Sequence, residues 1–136
     1  MKIYALDANA LIRYLTNTPG ADKVEELIRR ARNGEAKLIV SVVNRGEALY
    51  ILTRTRGFDR TAEDLRALSR FIESIDADEA QSEAAALLKM RYKLGLGDSY
   101  AAALAIRFGA TLVTADPEFA RLGKQLKILA LPRHSV

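Results

Sequence analysis

Short apolar runs with the length of β-strands alternate with helical patterns along the chain, and this alternation constrains the fold more than any other feature. Buried strands are predicted at 2–7, Lys37–Val40, Ala110–Thr114 and Leu126–Leu131. Because helical segments separate these strands, we expect the strands to pair in parallel and the helices to cover both faces. The sequence therefore predicts an α/β fold of three layers around a central, mostly parallel sheet of about four to five strands.

The helical segments place apolar residues at helical spacing and carry recognisable end signals. Helices are predicted over 8–15, 21–33, 41–57, 61–73, 78–93, 98–108 and 117–122. Ser41 suits the N-cap of the third helix, and Thr61 suits the N-cap of the fourth, with Asp64 at the capping-box position. The inward face of the fourth helix is predicted to consist of Leu65, Leu68, Phe71 and Ile72. Two arrangements fit the third and fourth helices: an antiparallel pair that projects from the sheet, or ordinary helical cover.

Length and residue inventory exclude several kinds of site. The chain has 136 residues, which fits one domain, 1–136, and it has no cysteine and a single histidine, His134. The absence of cysteine excludes disulfides and thiolate metal sites. The position of His134 indicates a tail residue, and the chain then also lacks the residues for a structural zinc site or a histidine-dependent triad. Any metal must bind through oxygen, which favours hard cations such as Mg²⁺ or Mn²⁺.

Charge and hydropathy bear on the partners and the compartment. The net charge of +4 and the pI near 9.5 suit a polyanionic partner. No apolar run approaches the ~18–20 residues of a membrane span, and the absence of cysteine suits a reducing cytosol. We therefore expect a cytoplasmic protein with no membrane partner.

Four acids stand where a simple solvated carboxylate is not expected. Asp7 ends the first strand and Asp116 follows the strand at 110–114, so both lie at the carboxyl edge of the parallel sheet, where ligands bind. Glu47 interrupts a helix that otherwise suits burial, and a buried glutamate is costly unless it is paired or binds metal. Asp98 begins a helix whose next turns are small and apolar.

Each of the four acids also has an ordinary structural interpretation. Asp98 suits an N-cap, Asp116 before a proline suits a turn, Asp7 can simply end a strand, and Glu47 can pair with an arginine. Taken together, clustered carboxylates repel one another and retain protons unless a cation neutralises them. A bound Mg²⁺ or Mn²⁺ makes such a cluster stable and supports phosphodiester hydrolysis. Because Mg²⁺ keeps several waters, we expect one or two acids to bind metal directly and the others to act through water or a second ion.

Three segments together resemble the PIN-domain family, and within it the VapC-type toxins of prokaryotic toxin–antitoxin pairs. The segments are YALDANALIRYL at 4–15, SVVNRGEALYILTR at 41–54 and GLGDSYAAALAIRFGATLVTADPEF at 95–119. The resemblance implies a PIN-like fold and an endoribonuclease that requires Mg²⁺ or Mn²⁺ and hydrolyses RNA with metal-activated water. It also implies a homodimer and a cognate antitoxin protein that silences the enzyme.

The resemblance assigns a role to each of the four acids. It implies that Asp7 and Asp98 are the principal metal ligands and that Glu47 completes the site or orients water. Asp116 resembles the fourth acid of the family, which is a ligand for a second metal where one is bound. One metal and two metals both stay open.

The resemblance also covers two supporting residues and has two departures. It implies that Asn9 and Thr114 form hydrogen bonds with the acids or with the phosphate. Ser99 stands where alanine is commoner after the third acid, and Glu118 adds a carboxylate near Asp116. The identity of any ligand of a second metal is therefore open.

Basic residues and two other functions complete the sequence-based expectations. Five arginines are candidates for holding RNA phosphates, or are scattered solubilising charge: Arg13, Arg45, Arg54, Arg56 and Arg60. A phosphatase with Asp7 as nucleophile is one alternative, because Asp7 to Asn9 after a strand resembles the haloacid-dehalogenase motif, although that motif has a second aspartate where Asn9 stands. A non-catalytic PIN-like module that binds RNA or protein is another, and the loss of an acid would have indicated it.

Overall fold

The computed structural model describes residues 1–133, so the tail position predicted for His134 lies outside the described residues. Five strands form one parallel sheet in the order β3-β2-β1-β4-β5. The strands are β1 (Lys2–Leu6), β2 (Ala36–Ser41), β3 (Ile72–Ile75), β4 (Thr111–Thr114) and β5 (Lys127–Ala130). The predicted α/β class and the parallel sheet are confirmed.

Helices cover both faces of the sheet. They are α1 (Ala8–Thr16), α2 (Ala21–Arg32), α3 (Val42–Arg56), α4 (Phe58–Leu68), α5 (Glu79–Tyr92) and α6 (Leu96–Phe108), and a 3₁₀ helix spans Pro117–Gln125. Tyr4 and Leu6 of β1 pack in a core with α1 to α4, whereas Ala5 packs in a second core with α5 and α6. The alternation of side chains along β1 therefore divides the interior into the two cores that a three-layer fold requires.

The order of the strands creates a crevice beside β1. The chain leaves β1 through α1 and α2 to reach β2 on one side, and it returns from β3 through α5 and α6 to reach β4 on the other side. Neighbouring strands whose connections leave in opposite directions open a crevice outside their carboxyl ends. The crevice here lies at the ends of β1 and β4, beyond which Asp7 and Asp116 stand.

The segment after α4 differs from the prediction. The helix predicted to reach residue 73 ends at Leu68, and Ile72 begins β3 instead of lying on the inward face of a helix. Ile72 pairs with Leu38 of β2 and is 3% exposed, so its burial comes from the sheet. A strand of four residues is too short to show alternation, and the spacing before it continued the helical pattern.

The start of α4 also differs from the prediction. The helix begins at Phe58, directly after Gly57, whose positive φ of 82° is favourable only for glycine. Thr61 therefore lies inside the helix, where its hydroxyl donates to the Gly57 carbonyl at 2.8 Å. Asp64 forms an ion pair with Arg56 and does not complete a capping box. The predicted N-cap at Ser41 is confirmed, since its hydroxyl accepts from the Val43 N–H at 3.2 Å.

Both α3 and α4 belong to the cover of the sheet, since Ala48 and Leu65 enter the first core. Within residues 1–133, no helix has both the length and the apolar character needed to cross a membrane.

Candidate active site

The four predicted acids line one cleft. The cleft has a volume of about 250 Å³ and opens at the carboxyl ends of β1 and β4. Its polar lining consists of Asp7, Asn9, Arg13, Glu47, Asp98, Asp116 and Arg133. Residues that are far apart in the chain are therefore gathered at the edge that the strand ends predict.

Asp7 is held rigidly at the floor of the cleft. It directly follows β1, it is 3% exposed, and its Oδ1 accepts from the Ala10 N–H at 2.8 Å, which caps α1. Burial is the main reason that the pKa of Asp7 is raised to about 6, and the charges of Asp116 and Glu47 raise it further. Because the charged form of Asp7 is unfavourable at this buried position, a nearby cation would stabilise it.

Thr114 connects the acids that follow β1 and β4. Its hydroxyl accepts from the Asp116 N–H at 3.0 Å, and its interaction with the Asp7 carboxylate lowers the pKa of Asp7. Asp116 in turn caps the 3₁₀ helix, because its Oδ1 accepts from the Glu118 N–H at 2.8 Å. Thr114 itself is only 1% exposed, so these bonds form away from bulk water.

Asp98 lies in the first turn of α6, and it is not the N-cap. The helix begins at Leu96 after Gly95, so the interpretation of Asp98 as a simple cap is wrong. Its pKa is raised to about 7, first by burial and then by the charge of Asp116 and by a hydrogen bond with the Asp116 carboxyl group. The charged form of Asp98 is therefore unfavourable beside Asp116 unless a cation is present.

Glu47 faces Asp98 from α3, but the burial predicted for Glu47 is wrong. The buried stripe of α3 consists of Asn44, Ala48 and Leu52, and Glu47 lies beside that stripe with an exposed side chain. It still packs closely against the start of α6, because a Cβ atom at Gly97 would lie 2.5 Å from Glu47 Oε1.

A buried asparagine fixes this junction between α3 and α6. The Asn44 side chain, 1% exposed, donates from Nδ2 to the Gly97 carbonyl at 2.9 Å. Asn44 was not predicted from the sequence, where it is one polar residue in a mixed helix. The contact across 53 positions of the chain becomes visible only in three dimensions.

The carboxylates suit a hard divalent cation. Asp98, Asp116 and Glu118 can each place one oxygen within 4.8 Å of the other two, and all three side chains are half-buried. Asp7 and Glu47 line the cleft together with Asp98 and Asp116. Glu118, which also pairs with Arg121, adds a third carboxylate beside Asp98 and Asp116. The Oδ1 atom of Asn9 is buried without a hydrogen-bond partner among the described residues, which adds another free oxygen at the cleft. An all-oxygen set of this kind fits Mg²⁺ or Mn²⁺.

The candidate arginines differ in how they lie relative to the cleft. Arg13 lines the cleft, but its buried guanidinium is engaged by backbone carbonyls. Arg56 pairs with Asp64, and Arg54 donates to the Tyr50 hydroxyl at 2.8 Å. Arg133, which no sequence pattern singled out, lines the cleft as well.

Residues 4–125 match the PIN domain family. The chain belongs to the PIN domain family. One similar structure is VapBC2 from Rickettsia felis bound to a DNA fragment from the promoter. A chain of that structure has a TM-score of 0.73 and 20% identity, with 95% of this chain and 98% of that chain covered. A chain of the DNA-bound VapBC structure from Salmonella typhimurium has a TM-score of 0.75 and 19% identity, with 96% and 98% covered.

A third similar structure is VapC20 from Mycobacterium tuberculosis, described as a sarcin-ricin loop cleaving toxin. Its TM-score is 0.63 and its identity 17%, with 88% of this chain and 95% of that chain covered. No curated protein sequence matches this chain. At these identities the solved structures establish the fold of this PIN domain, and its activity has to be argued from the site.

Proposed function

We propose that this PIN domain is a Mg²⁺- or Mn²⁺-dependent endoribonuclease, the VapC-type toxin of a type II toxin–antitoxin module. The observation that carries the proposal is the convergence of Asp7, Glu47, Asp98 and Asp116 on one cleft of about 250 Å³. The raised pKa values of Asp7 and Asp98 support it, because the cluster is unfavourable without a positive charge to neutralise it.

When a divalent cation is bound, it supplies charge for the scissile phosphate and polarises the attacking water. In this proposal Asp7 and Asp98 are its principal ligands, and Asp116 serves a second cation where one is present. Glu47, exposed at the rim, completes the site or orients the water. Thr114 lies between the two acids, since its hydroxyl accepts from the Asp116 N–H and lowers the pKa of Asp7. Asn9 offers its free oxygen to the acids' cation or to water.

The similar structures support the proposed partners. Two of them are VapBC complexes, which supports a cognate antitoxin protein as the partner of this chain. The description of VapC20 as a sarcin-ricin loop cleaving toxin supports RNA as the substrate. We also propose a homodimer and a cytoplasmic location, as the family resemblance implies.

Cleavage of labelled structured RNA tests the proposal. The purified chain is assayed with Mg²⁺, with Mn²⁺ and with EDTA, beside Asp7→Asn and Asp98→Asn. We expect cleavage that requires metal and is lost in both variants. Cleavage at equal rates in the variants would identify a contaminating nuclease and contradict the proposed site.

The same preparations test the two other functions. A phosphatase that uses Asp7 as nucleophile is disfavoured, because Asp7 is 3% exposed and one of its oxygens is engaged by the Ala10 N–H. Release of phosphate from p-nitrophenyl phosphate by the wild type and not by Asp7→Asn would support the phosphatase instead. Tight RNA binding without cleavage under any metal condition would support the non-catalytic module.

A further inference from the structure

Arg13 is a buried cation that holds the segment following β5. It is 8% exposed, and its guanidinium donates to the carbonyls of Pro19 at 2.6 Å, Pro132 at 2.7 Å and Arg133 at 3.2 Å. A buried charge is costly unless it is fully hydrogen-bonded, and carbonyl acceptors provide those bonds here. Within residues 1–133 no carboxylate forms an ion pair with Arg13. These hydrogen bonds therefore hold the backbone of the segment, and they do not neutralise the positive charge of Arg13.

A second set of contacts fixes the same segment to the floor of the cleft. The Leu131 N–H donates to the Thr114 carbonyl at 2.8 Å, and the Leu131 side chain is 3% exposed. Thr114 is the residue whose hydroxyl connects Asp7 and Asp116. The backbone that leads to Arg133 is thus tied to the acids on one side and to Arg13 on the other.

These contacts place an exposed arginine at an acidic cleft. Arg133 lines the cleft together with Asp7, Asp98 and Asp116, and among the described residues it forms no ion pair with them. RNA carries a phosphate at every nucleotide, and the acids around the scissile position repel the neighbouring phosphates. A guanidinium binds phosphate through two parallel hydrogen bonds, so an arginine fixed at the rim can offset that repulsion.

We propose that Arg133 binds an RNA phosphate next to the scissile one, and that Arg13 is the positioning residue that holds Arg133 at the cleft. This inference rests on the proposed nuclease function, which supplies the substrate. It adds a substrate-binding site that lies outside the four acids.

Binding of a fluorescein-labelled stem–loop RNA, measured by anisotropy over a range of KCl concentrations, tests the role of Arg133. All proteins carry Asp98→Asn so that cleavage does not interfere. We expect Arg133→Ala to raise the Kd about tenfold and to reduce the slope of log K against log salt by about 0.7–0.9, the value for one lost phosphate contact. Arg133→Lys should restore the slope but only part of the affinity. Arg70→Ala removes the same charge at the other end of the sheet, beside Met1 and Lys37, and should leave both quantities unchanged.

Kinetics and a double variant test the positioning role of Arg13. In the active protein, Arg133→Ala should raise KM about tenfold and change kcat by less than about twofold. Arg13→Lys should weaken RNA binding to a similar extent, and adding Arg133→Ala should have little further effect because both changes remove the same contact. Thermal unfolding of Arg133→Ala should match the wild type, since its side chain is exposed.

The outcomes separate this inference from the nuclease proposal. If the wild type cleaves RNA and Arg133→Ala keeps the Kd and the salt slope of its parent, the inference is wrong and the nuclease proposal stands. If Arg133→Ala instead binds Mn²⁺ more tightly with an unchanged salt slope, Arg133 is an internal counterion of the acids and the inference is also wrong. If the wild type neither binds nor cleaves RNA, both proposals fail.

Discussion

A methyl group added at Gly97 is expected to affect RNA cleavage more than stability, because it displaces the Glu47 carboxylate. A Cβ atom there would lie 2.5 Å from Glu47 Oε1 and 3.0 Å from Glu47 Cδ and Oε2. Ordinary contacts begin near 3.4 Å, so in Gly97→Ala the Glu47 carboxylate has to move by about 0.9 Å. That carboxylate is the flexible end of an exposed side chain, and it can move without disturbing the core.

The expected effects on rate and stability have different magnitudes. Misplacement of a group by about 1 Å in an active site can reduce the rate by about 100-fold. We therefore expect Gly97→Ala to reduce kcat for RNA cleavage by about 10- to 100-fold. Alanine is favoured over glycine inside a helix by about 0.5–1 kcal/mol, which offsets the cost of moving Glu47. The free energy of unfolding should therefore stay within about 1 kcal/mol of the wild-type value.

Single-turnover cleavage and urea unfolding of the same preparations measure both quantities. Gly46→Ala is the matched control: Gly46 precedes Glu47 in α3, and a Cβ atom there meets nothing within 4 Å. It should keep wild-type activity and gain stability. Cleavage by Gly97→Ala at the wild-type rate would contradict the expected role of Glu47, because it would show that the position of its carboxylate is not used. Equal losses of rate in both glycine variants would refute it as well.

Three further predictions concern the charges at the floor of the cleft. Asp7→Asn should abolish cleavage, yet it should stabilise the metal-free protein at pH 7.5 by up to about 3 kcal/mol in urea unfolding. The reason is that it removes a buried charge while the amide can still cap α1. A destabilised variant would contradict this. The pKa values of Asp7 and Asp98 are raised from 3.8 to about 6 and about 7, so the folded state binds more protons than the unfolded state between these limits. The metal-free protein should therefore lose stability as pH rises from about 4 to about 7, and the increase in Tm on adding Mn²⁺ should grow over the same range. Opposite trends in thermal melts would refute the assignment. Thr114→Val removes an interaction that lowers the pKa of Asp7, so less of the Asp7 side chain would be a charged carboxylate at pH 7. Titration with Mn²⁺ should therefore give an affinity several-fold weaker. An unchanged affinity would show that Thr114 does not act on the site.

The layers of the fold and the position of the cleft were predictable from local patterns. Apolar runs separated by helices lead to parallel pairing, and parallel strands bring their carboxyl ends to one edge. Asp7 and Asp116 therefore meet whatever the details of the helices. The prediction failed at Ile72, where a strand of four residues continued a helical spacing, and at Thr61, because Gly57 allowed the helix to begin earlier.

The details of the cleft depend on contacts between distant segments of the chain. Such contacts cannot be predicted from a single sequence. Glu47 was expected to be buried because its neighbours are apolar, but the buried stripe of α3 runs through Asn44 instead. Asn44 and Gly97 are brought together by the packing of α3 on α6. The segment that carries Arg133 to the cleft is bound by Arg13, which donates to carbonyls 119 and 120 positions away.

The rate of RNA cleavage as a function of Mn²⁺ concentration, compared among the wild type, Asp98→Asn and Glu63→Gln, decides whether the acidic cleft is the active site. Glu63 is an exposed acid of α4, so its variant removes the same charge without touching the cleft. The site described here predicts a saturable dependence on Mn²⁺ that is kept in Glu63→Gln and lost in Asp98→Asn. Cleavage by Asp98→Asn with the wild-type dependence on Mn²⁺ would contradict the assignment of the acidic cleft as the active site.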